Sequence, residues 1–182
     1  MKGLQPIFQS QMTGQAVYPN PESLPRAFFV KRPEVLSPIE TIHNMEQGNF
    51  NPRDVAYFEK ALPVKTDTLI TGAIAELIDY QNEYVKYNVR ANGNNILFLS
   101  EIWYPEGWTS YLDGKITDTY KTNYAFRSVV VPQGVHTLEM KFTSKAFVKG
   151  KNLSLIANII TLIGIGLGLF LLRKKDPDTV KE

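Results

Sequence analysis

Residues 153–172 read LSLIANIITLIGIGLGLFLL, a run of twenty residues without a charged side chain. A helix of this length is about 30 Å long, which matches the hydrocarbon thickness of a bilayer. Thirteen of the twenty side chains are Leu, Ile or Phe, and they lie on every side of the helix. A helix on a soluble core carries a single apolar stripe instead. The segment therefore predicts one membrane-spanning helix.

Two glycines in this run, Gly164 and Gly168, form a G-x-x-x-G pattern. Glycine at this spacing lets a second helix approach closely, so we predict that this face packs against other transmembrane helices. The alternative is that the glycines have no partner, because glycine is common in membrane helices.

Basic residues on the two flanks of the run nearly balance, so charge alone does not decide the orientation. The preceding lysines are spread over 141–151, whereas Arg173, Lys174 and Lys175 directly follow the run. The contiguous group favours a cytoplasmic C-terminus.

The part before the membrane segment has the composition of a globular domain. Residues 1–152 carry 16 Lys and Arg against 15 Asp and Glu, which gives no basic surface for nucleic acid. The chain has no Cys, which excludes disulfides, zinc–thiolate sites and thiol nucleophiles. Residues 1–20 lack the apolar run of a signal peptide.

Short segments with a period of two dominate this part and predict an antiparallel β-sandwich with one short helix. The predicted strands are 26–30, 55–59, 73–80, 84–91, 96–103, 108–112, 115–120, 124–131 and 136–142. In the strand 73–80, the alternation places Ile74, Ile78 and Tyr80 on one face. Asp113-Gly114 between two strands is typical of a two-residue hairpin turn.

The single predicted helix before the membrane segment begins after Ser37. Ser37 is suited to the N-cap, Pro38 to the first helical position and Glu40 to a capping box. Gly48 is placed to end the helix. The apolar face of this helix is predicted to consist of Ile39, Ile42 and Met45.

An aromatic cluster is the candidate binding feature, because no catalytic motif and no pattern for a cofactor or a metal is present. It comprises Trp103, Tyr104, Trp108, Tyr111 and Tyr124. Three interpretations remain open. The rings form the core between the sheets, or they form a face that stacks on sugars, or they lie at headgroup level beside the membrane.

Five segments carry a resemblance to a known family. They are Leu24–Val30 (LPRAFFV), Tyr104–Trp108 (YPEGW), Tyr111–Lys115 (YLDGK), Asn123–Arg127 (NYAFR) and Val131–Glu139 (VPQGVHTLE). In this order, and followed by a terminal membrane helix, they resemble the C-terminal region of the YfhO family of bacterial multi-span membrane proteins. The resemblance covers roughly residues 24–173. Glu106 departs from the tighter Pro-Gly-Trp form of the family and is expected only to lengthen a turn.

The resemblance implies a domain order and a role. Residues 1–24 would be a linker or loop, 25–150 an extracytoplasmic β-sandwich, 151–173 the transmembrane helix and 174–182 a cytoplasmic tail. The family resembles lipid-linked-sugar glycosyltransferases of the cell envelope, but the catalytic part is not in this chain. We therefore expect a non-catalytic accessory domain in the bacterial cytoplasmic membrane, as a fragment of a longer protein. The expected partners are the lipid bilayer, other transmembrane helices and a glycan or lipid-linked sugar, but no nucleic acid.

Two alternatives to this role remain. One is a stand-alone, membrane-tethered carbohydrate-binding domain, which the aromatic cluster favours. The other is a tail-anchored cytosolic scaffold, which the missing signal peptide and the balanced flanking charges favour.

Overall fold

The computed structural model describes residues 5–48 and 50–174, which form thirteen strands and two helices. The first strands are β1 (Phe8–Gln9), β2 (Ala16–Val17), β3 (Ala27–Val30), β4 (Arg32–Val35), β5 (Val55–Phe58) and β6 (Ile74–Gln81). The others are β7 (Tyr84–Ala91), β8 (Asn95–Ile102), β9 (Trp108–Leu112), β10 (Lys115–Thr117), β11 (Tyr120–Thr122), β12 (Phe126–Val131) and β13 (Gly134–Phe142). The helices are α1 (Pro38–Glu46) and α2 (Lys145–Lys174).

Two antiparallel sheets form the sandwich. The five-stranded sheet has the order β10-β9-β13-β7-β6, and the four-stranded sheet has the order β11-β12-β8-β3. Strand β13 is the middle strand of the first sheet and pairs with β7 and β9. The predicted antiparallel sandwich is confirmed. The structure adds a small β1–β2 pair near the N-terminus and a parallel β4–β5 pair, which the sequence pattern did not indicate.

The main core lies between the two sheets. In β7, the alternate residues Val85, Tyr87 and Val89 are at most 2% exposed, and they pack with Leu97 and Leu99 of β8. Burial of each aliphatic side chain contributes about 1.5–3 kcal/mol relative to exposure. The period of two in these strands thus reflects one face in the core and one face in solvent.

A second apolar cluster covers the outer side of the four-stranded sheet. Ala56 and Phe58 of β5 pack there with Ile96 and Phe98 of β8. Strand β8 is therefore buried on both faces, which explains why its sequence is nearly continuously apolar.

The turn between β9 and β10 confirms the predicted hairpin. Asp113 and Gly114 have φ values of 51° and 78°, which a two-residue turn of this type requires. The single strand predicted at 115–120 is wrong, however. The chain leaves the five-stranded sheet after Thr117 and joins the four-stranded sheet at Tyr120. Alternation alone does not indicate such a change of sheet.

The predicted common face of Ile74, Ile78 and Tyr80 is also wrong. The pairing of β6 with β7 shifts register between Leu77 and Asp79, which is typical of a β-bulge. Before the shift, Ile74 lies opposite the exposed Arg90. After it, Tyr80 lies opposite the buried Val85, so the two side chains point to opposite faces of the sheet.

Helix α1 has the predicted ends but not the predicted buried face. The Ser37 side chain accepts a hydrogen bond from the Glu40 N–H, and the Glu40 carboxylate accepts one from the Ser37 N–H. Gly48 follows the helix with a φ of 71°. Ile39 is 81% exposed, whereas Thr41 is buried and donates a hydrogen bond to the Ser37 carbonyl. The helix lies on the surface and turns a polar residue inward.

Helix α2 contains the predicted membrane segment. Its residues Ala146–Lys174 are long and apolar enough to cross a bilayer, and none of the apolar window is buried by the rest of the protein. The helix begins at Lys145, two full turns before the predicted apolar run. Of the tail predicted at 174–182, only Lys174 belongs to the described residues. Residues 175–182, which include Lys175, lie outside them.

Candidate functional site

A cavity of about 530 Å³ lies where the β8–β9 loop, the end of β13 and the start of α2 meet. We call it the junction cavity. Its lining consists of Tyr104, Pro105, Glu106, Gly107, Thr109, Thr143, Ser144, Ala146 and Lys149. The Thr143 N–H donates a hydrogen bond of 2.8 Å to the Gly107 carbonyl, which fixes the loop to the strand–helix connection. The Ser144 side chain accepts a hydrogen bond from the Phe147 N–H and caps the helix.

The loop can lie this close to β13 because residue 107 is glycine. A Cβ atom there would lie 2.1 Å from an edge carbon of the Phe142 ring. The rings of Trp108 and Tyr104 flank the same phenylalanine at centroid distances of 5.4 Å and 6.2 Å. Three aromatic side chains therefore close the end of the sandwich beside the junction cavity.

Behind these rings lies a buried cation. The Arg127 side chain is 3% exposed, and its guanidinium carbon lies 4.6 Å from the centre of the Trp108 ring. One guanidinium nitrogen lies 3.9 Å from the Glu101 carboxylate, while Nε and Nη1 have no hydrogen-bond partner. Burial lowers the pKa of Arg127, with Glu101 opposing that shift. Cation–π attraction to the indole compensates part of the desolvation cost.

The aromatic residues predicted as a glycan-binding cluster do not share one face. Trp108 points into the sandwich, and Tyr111 points to the outer face of the same sheet, because residues three apart on a strand lie on opposite sides. Tyr104 is 51% exposed at the junction cavity. The structure thus divides the predicted cluster among different environments, and contact of its members with a glycan stays a prediction.

The other two members lie on the edge of the four-stranded sheet. Trp103 lines a second cavity of about 460 Å³ together with Tyr120 and Lys121. Tyr124 is 47% exposed in the turn between β11 and β12, where its φ is 70°, and the Lys121 ammonium lies 5.3 Å from its ring centre. Trp103 lies in the loop after β8 and Tyr124 lies in a turn, so neither ring is positioned by a regular strand.

The outer surface of the five-stranded sheet carries a polar aromatic group of which the sequence analysis named only Tyr111. We call Tyr84, Tyr111, Glu139 and Lys141 the outer-face group. The Lys141 ammonium lies 5.1 Å from the Tyr111 ring centre and 5.8 Å from that of Tyr84, and 3.4 Å from a Glu139 carboxylate oxygen. The alternation of β7 and β13 placed these side chains outward, but only the strand order brings them together.

Within this group, Tyr84 and Glu139 form a coupled pair. The Tyr84 hydroxyl donates a short hydrogen bond to the Glu139 carboxylate. That bond is the main cause that raises the pKa of Tyr84 to about 12, and it also lowers the pKa of Glu139. The pair holds one proton on the phenol and a negative charge on the carboxylate at neutral pH.

A second carboxylate, that of Asp113, is paired with a side chain at the opposite end of β13. Nδ1 of His136 lies 2.6 Å from the Asp113 carboxylate, whose other oxygen accepts a hydrogen bond from the Thr137 N–H. The contact with His136 is the main reason why the pKa of Asp113 is lowered. The carboxylate thereby joins the hairpin turn to the middle strand, which is a structural role.

Two further predicted features concern metals and helix packing. In residues 5–48 and 50–174, no group of three or more His, Asp or Glu side chains is placed to hold a metal ion. Gly164 and Gly168 lie in the exposed helix, and a Cβ atom on either would meet nothing within 4 Å. Packing of this face against another helix stays a prediction.

The sequence is similar to known proteins over a region that contains the whole five-stranded sheet and three strands of the four-stranded sheet. Residues 66–154 match the family described as "Bacterial membrane protein YfhO". The chain is 21% identical over 139 residues to the "Uncharacterized protein YfhO" of Bacillus subtilis (strain 168), and the match covers 75% of this chain. The chain spans only 15% of the length of that curated relative. No solved structure matches the chain.

Proposed function

Because residues 66–154 place this chain in the YfhO family of bacterial membrane proteins, we propose that it is a non-catalytic accessory domain of a cell-envelope membrane protein. In this role, the sandwich lies on the extracytoplasmic side of the cytoplasmic membrane, and α2 anchors it. The domain packs on other transmembrane helices and presents a glycan or lipid-linked sugar to a catalytic part outside this chain.

The observation that supports this proposal most is the direct connection of the sandwich to the apolar helix. Only Thr143 and Ser144 separate β13 from α2, and both take part in hydrogen bonds at the junction. The sandwich buries none of the apolar window of α2. These side chains would therefore be exposed to water unless a lipid bilayer surrounds them.

Orientation can be tested by labelling, because the natural chain has no Cys. We expect a membrane-impermeant maleimide to label Glu76→Cys in intact bacterial cells. We expect the same reagent to label Glu182→Cys only after permeabilisation. The opposite pattern would contradict the extracytoplasmic sandwich and would favour the tail-anchored cytosolic scaffold.

The accessory role can be tested with the purified full chain in detergent. We expect it to neither hydrolyse nor transfer the sugar of polyprenyl-phosphate-linked hexoses, as measured by chromatography of the lipid products. Turnover by this chain alone would contradict the proposal.

A second candidate function is carbohydrate binding, which the outer-face group favours. Its two tyrosine rings and the Glu139–Lys141 pair offer stacking surfaces and polar partners on an open sheet face. We expect Tyr111→Ala to abolish binding on a glycan array without loss of fold, because this ring points away from the core. Trp108→Ala is expected to destabilise the sandwich instead. Unchanged glycan binding by Tyr111→Ala would contradict this candidate.

A further inference from the structure

We propose that the junction cavity binds the headgroup of a phospholipid with a primary ammonium, as in phosphatidylethanolamine. The lipid would come from the outer leaflet of the membrane that α2 crosses. The inference rests on the membrane-anchored function proposed above, and it adds a binding site for one class of lipid.

The position of the cavity relative to the membrane supports a lipid ligand. The apolar run begins at Leu153, and Lys149 lies one helical turn before it, which is about 6 Å along the helix axis. Headgroups occupy a layer of about 5–8 Å on each side of the hydrocarbon core. When α2 spans the bilayer, Lys149 therefore lies at the level of the phosphates.

The charges of the cavity indicate which headgroup fits. Glu106 and Lys149 line the same cavity from different elements, one from the β8–β9 loop and one from α2. In the part of the chain that the structure describes, no ion pair joins them. A phosphate beside Lys149 and an ammonium beside Glu106 would satisfy both charges at once. An anionic glycerol headgroup would satisfy Lys149 alone and would repel Glu106.

The remaining polar groups fit the same ligand. The hydroxyls of Thr143 and Ser144 lie in the lining near Lys149 on the chain and can donate hydrogen bonds to phosphate oxygens. Tyr104, which is 51% exposed, adds an aromatic ring whose face attracts a cation. The volume of about 530 Å³ lies in the range typical of small-ligand sites.

A primary ammonium is favoured over choline by hydrogen bonding. The carboxylate of Glu106 can accept hydrogen bonds from an ammonium N–H, whereas choline carries three methyl groups and has no donor. A charge-assisted hydrogen bond typically changes affinity by about tenfold or more.

The experiment uses the full chain in lipid nanodiscs that contain phosphatidylethanolamine, phosphatidylglycerol and phosphatidylcholine in equal amounts, with identical acyl chains. Native mass spectrometry after release from the disc identifies the lipids that stay bound. We expect about tenfold more retained phosphatidylethanolamine than either other lipid. Equal retention of the three, or preference for phosphatidylglycerol, would overturn the proposal.

Two variants test the assigned roles. Lys149→Gln should lower the retention of all three lipids, because each of them carries the phosphate that Lys149 is proposed to bind. Glu106→Gln should shift the preference towards phosphatidylglycerol, because only the positive charge remains. The matched controls are Lys151→Gln and Glu76→Gln, which lie outside the cavity lining and should leave the wild-type retention and preference unchanged.

The controls and the reconstitution also decide the proposal. An equal loss of lipid retention in Lys149→Gln and Lys151→Gln would show general attraction to basic residues and would overturn the site. Failure of the wild-type chain to enter the disc would contradict both the anchored function and this inference. Entry without lipid preference would contradict only the inference.

Discussion

At the scale of single residues, Arg127 is the least expected feature. The strand alternation places it on the same face as Val129 and Val131, which are both fully buried. The pattern therefore indicated an inward-facing arginine, although composition rules predict arginine at the surface. The sequence did not indicate that Trp108 would be the partner of Arg127, because that contact depends on how the two sheets pack.

Arg127→Met tests the cost of this buried cation. Methionine keeps an unbranched, flexible side chain but removes the charge, and Glu101 keeps Arg26 as a partner at 2.7 Å. We expect the free energy of unfolding to stay equal or to rise by up to about 4 kcal/mol, as for other buried ion pairs replaced by apolar groups. Urea unfolding of the full chain in detergent, followed by tryptophan fluorescence, measures it.

The control for this prediction is Arg127→Ala. It removes the charge but leaves a cavity between the sheets, so we expect a loss of stability of about 2–5 kcal/mol. If the Met variant were as unstable as the Ala variant, the buried charge would not be costly in this protein.

The Tyr84–Glu139 pair predicts a pH range of maximal stability. The folded state raises the pKa of Tyr84 from 10.0 to about 12, so this contribution is complete below pH 10 and is lost as the pH rises towards 12. It lowers the pKa of Glu139 from 4.5, so that contribution is complete above pH 4.5 and is lost as the pH falls through the lowered pKa.

Tyr84→Phe removes the shared hydrogen bond. We expect this variant to lose stability between these limits and to respond less to pH at both ends, as measured by urea unfolding from pH 3 to pH 11. Tyr18→Phe, at an exposed tyrosine before the sandwich, should keep the wild-type profile. A Tyr84→Phe profile parallel to that of the wild type would contradict the coupling.

At the scale of elements, local signals in the sequence gave some boundaries directly. Strand β7 has its predicted bounds, and the Asp113-Gly114 turn and the Ser37 cap are where their chemistry placed them. The errors concern contacts between elements. The change of sheet at 118–119 and the inward turn of Thr41 depend on partners distant in sequence, which a periodic pattern does not contain.

The β9–β10 hairpin depends on glycine at position 114. With a φ of 78°, this position strains any other residue, so Gly114→Ala should destabilise the protein by about 1 kcal/mol. Gly150→Ala is the matched control, because Gly150 is helical, has no positive φ and a Cβ atom there meets nothing within 4 Å. We expect that substitution to stabilise the helix by about 0.5–1 kcal/mol. Thermal unfolding in detergent compares the two variants, and equal effects would contradict this argument.

At the scale of the whole molecule, the membrane helix was the feature most completely contained in the sequence. Length and composition alone predicted it, because insertion into lipid depends on the segment itself and not on packing against the sandwich. The candidate sites were less predictable. The junction cavity and the outer-face group each combine residues from elements that are far apart in the chain.

Ile163→Arg tests the membrane helix near its centre. Replacing an apolar residue with arginine at this depth costs about 3 kcal/mol of insertion free energy. We therefore expect a larger fraction of the chain in the supernatant after alkaline carbonate extraction of bacterial membranes. Ile163→Leu should remain in the pellet like the wild type. If Ile163→Arg were also fully retained, another part of the chain would supply the anchoring.

The two-residue connection between β13 and α2 has a mechanical consequence. The strand that continues into the membrane helix is the middle strand of its sheet, and it is hydrogen-bonded to a neighbour on each side. A long flexible linker would let the sandwich change its orientation relative to the membrane. Here, the cap at Ser144 and the hydrogen bond from Thr143 to Gly107 restrict the connection. Tilting or rotating the helix would thus turn the whole sandwich with it, so that movements inside the bilayer reach the aqueous side as rigid-body motion.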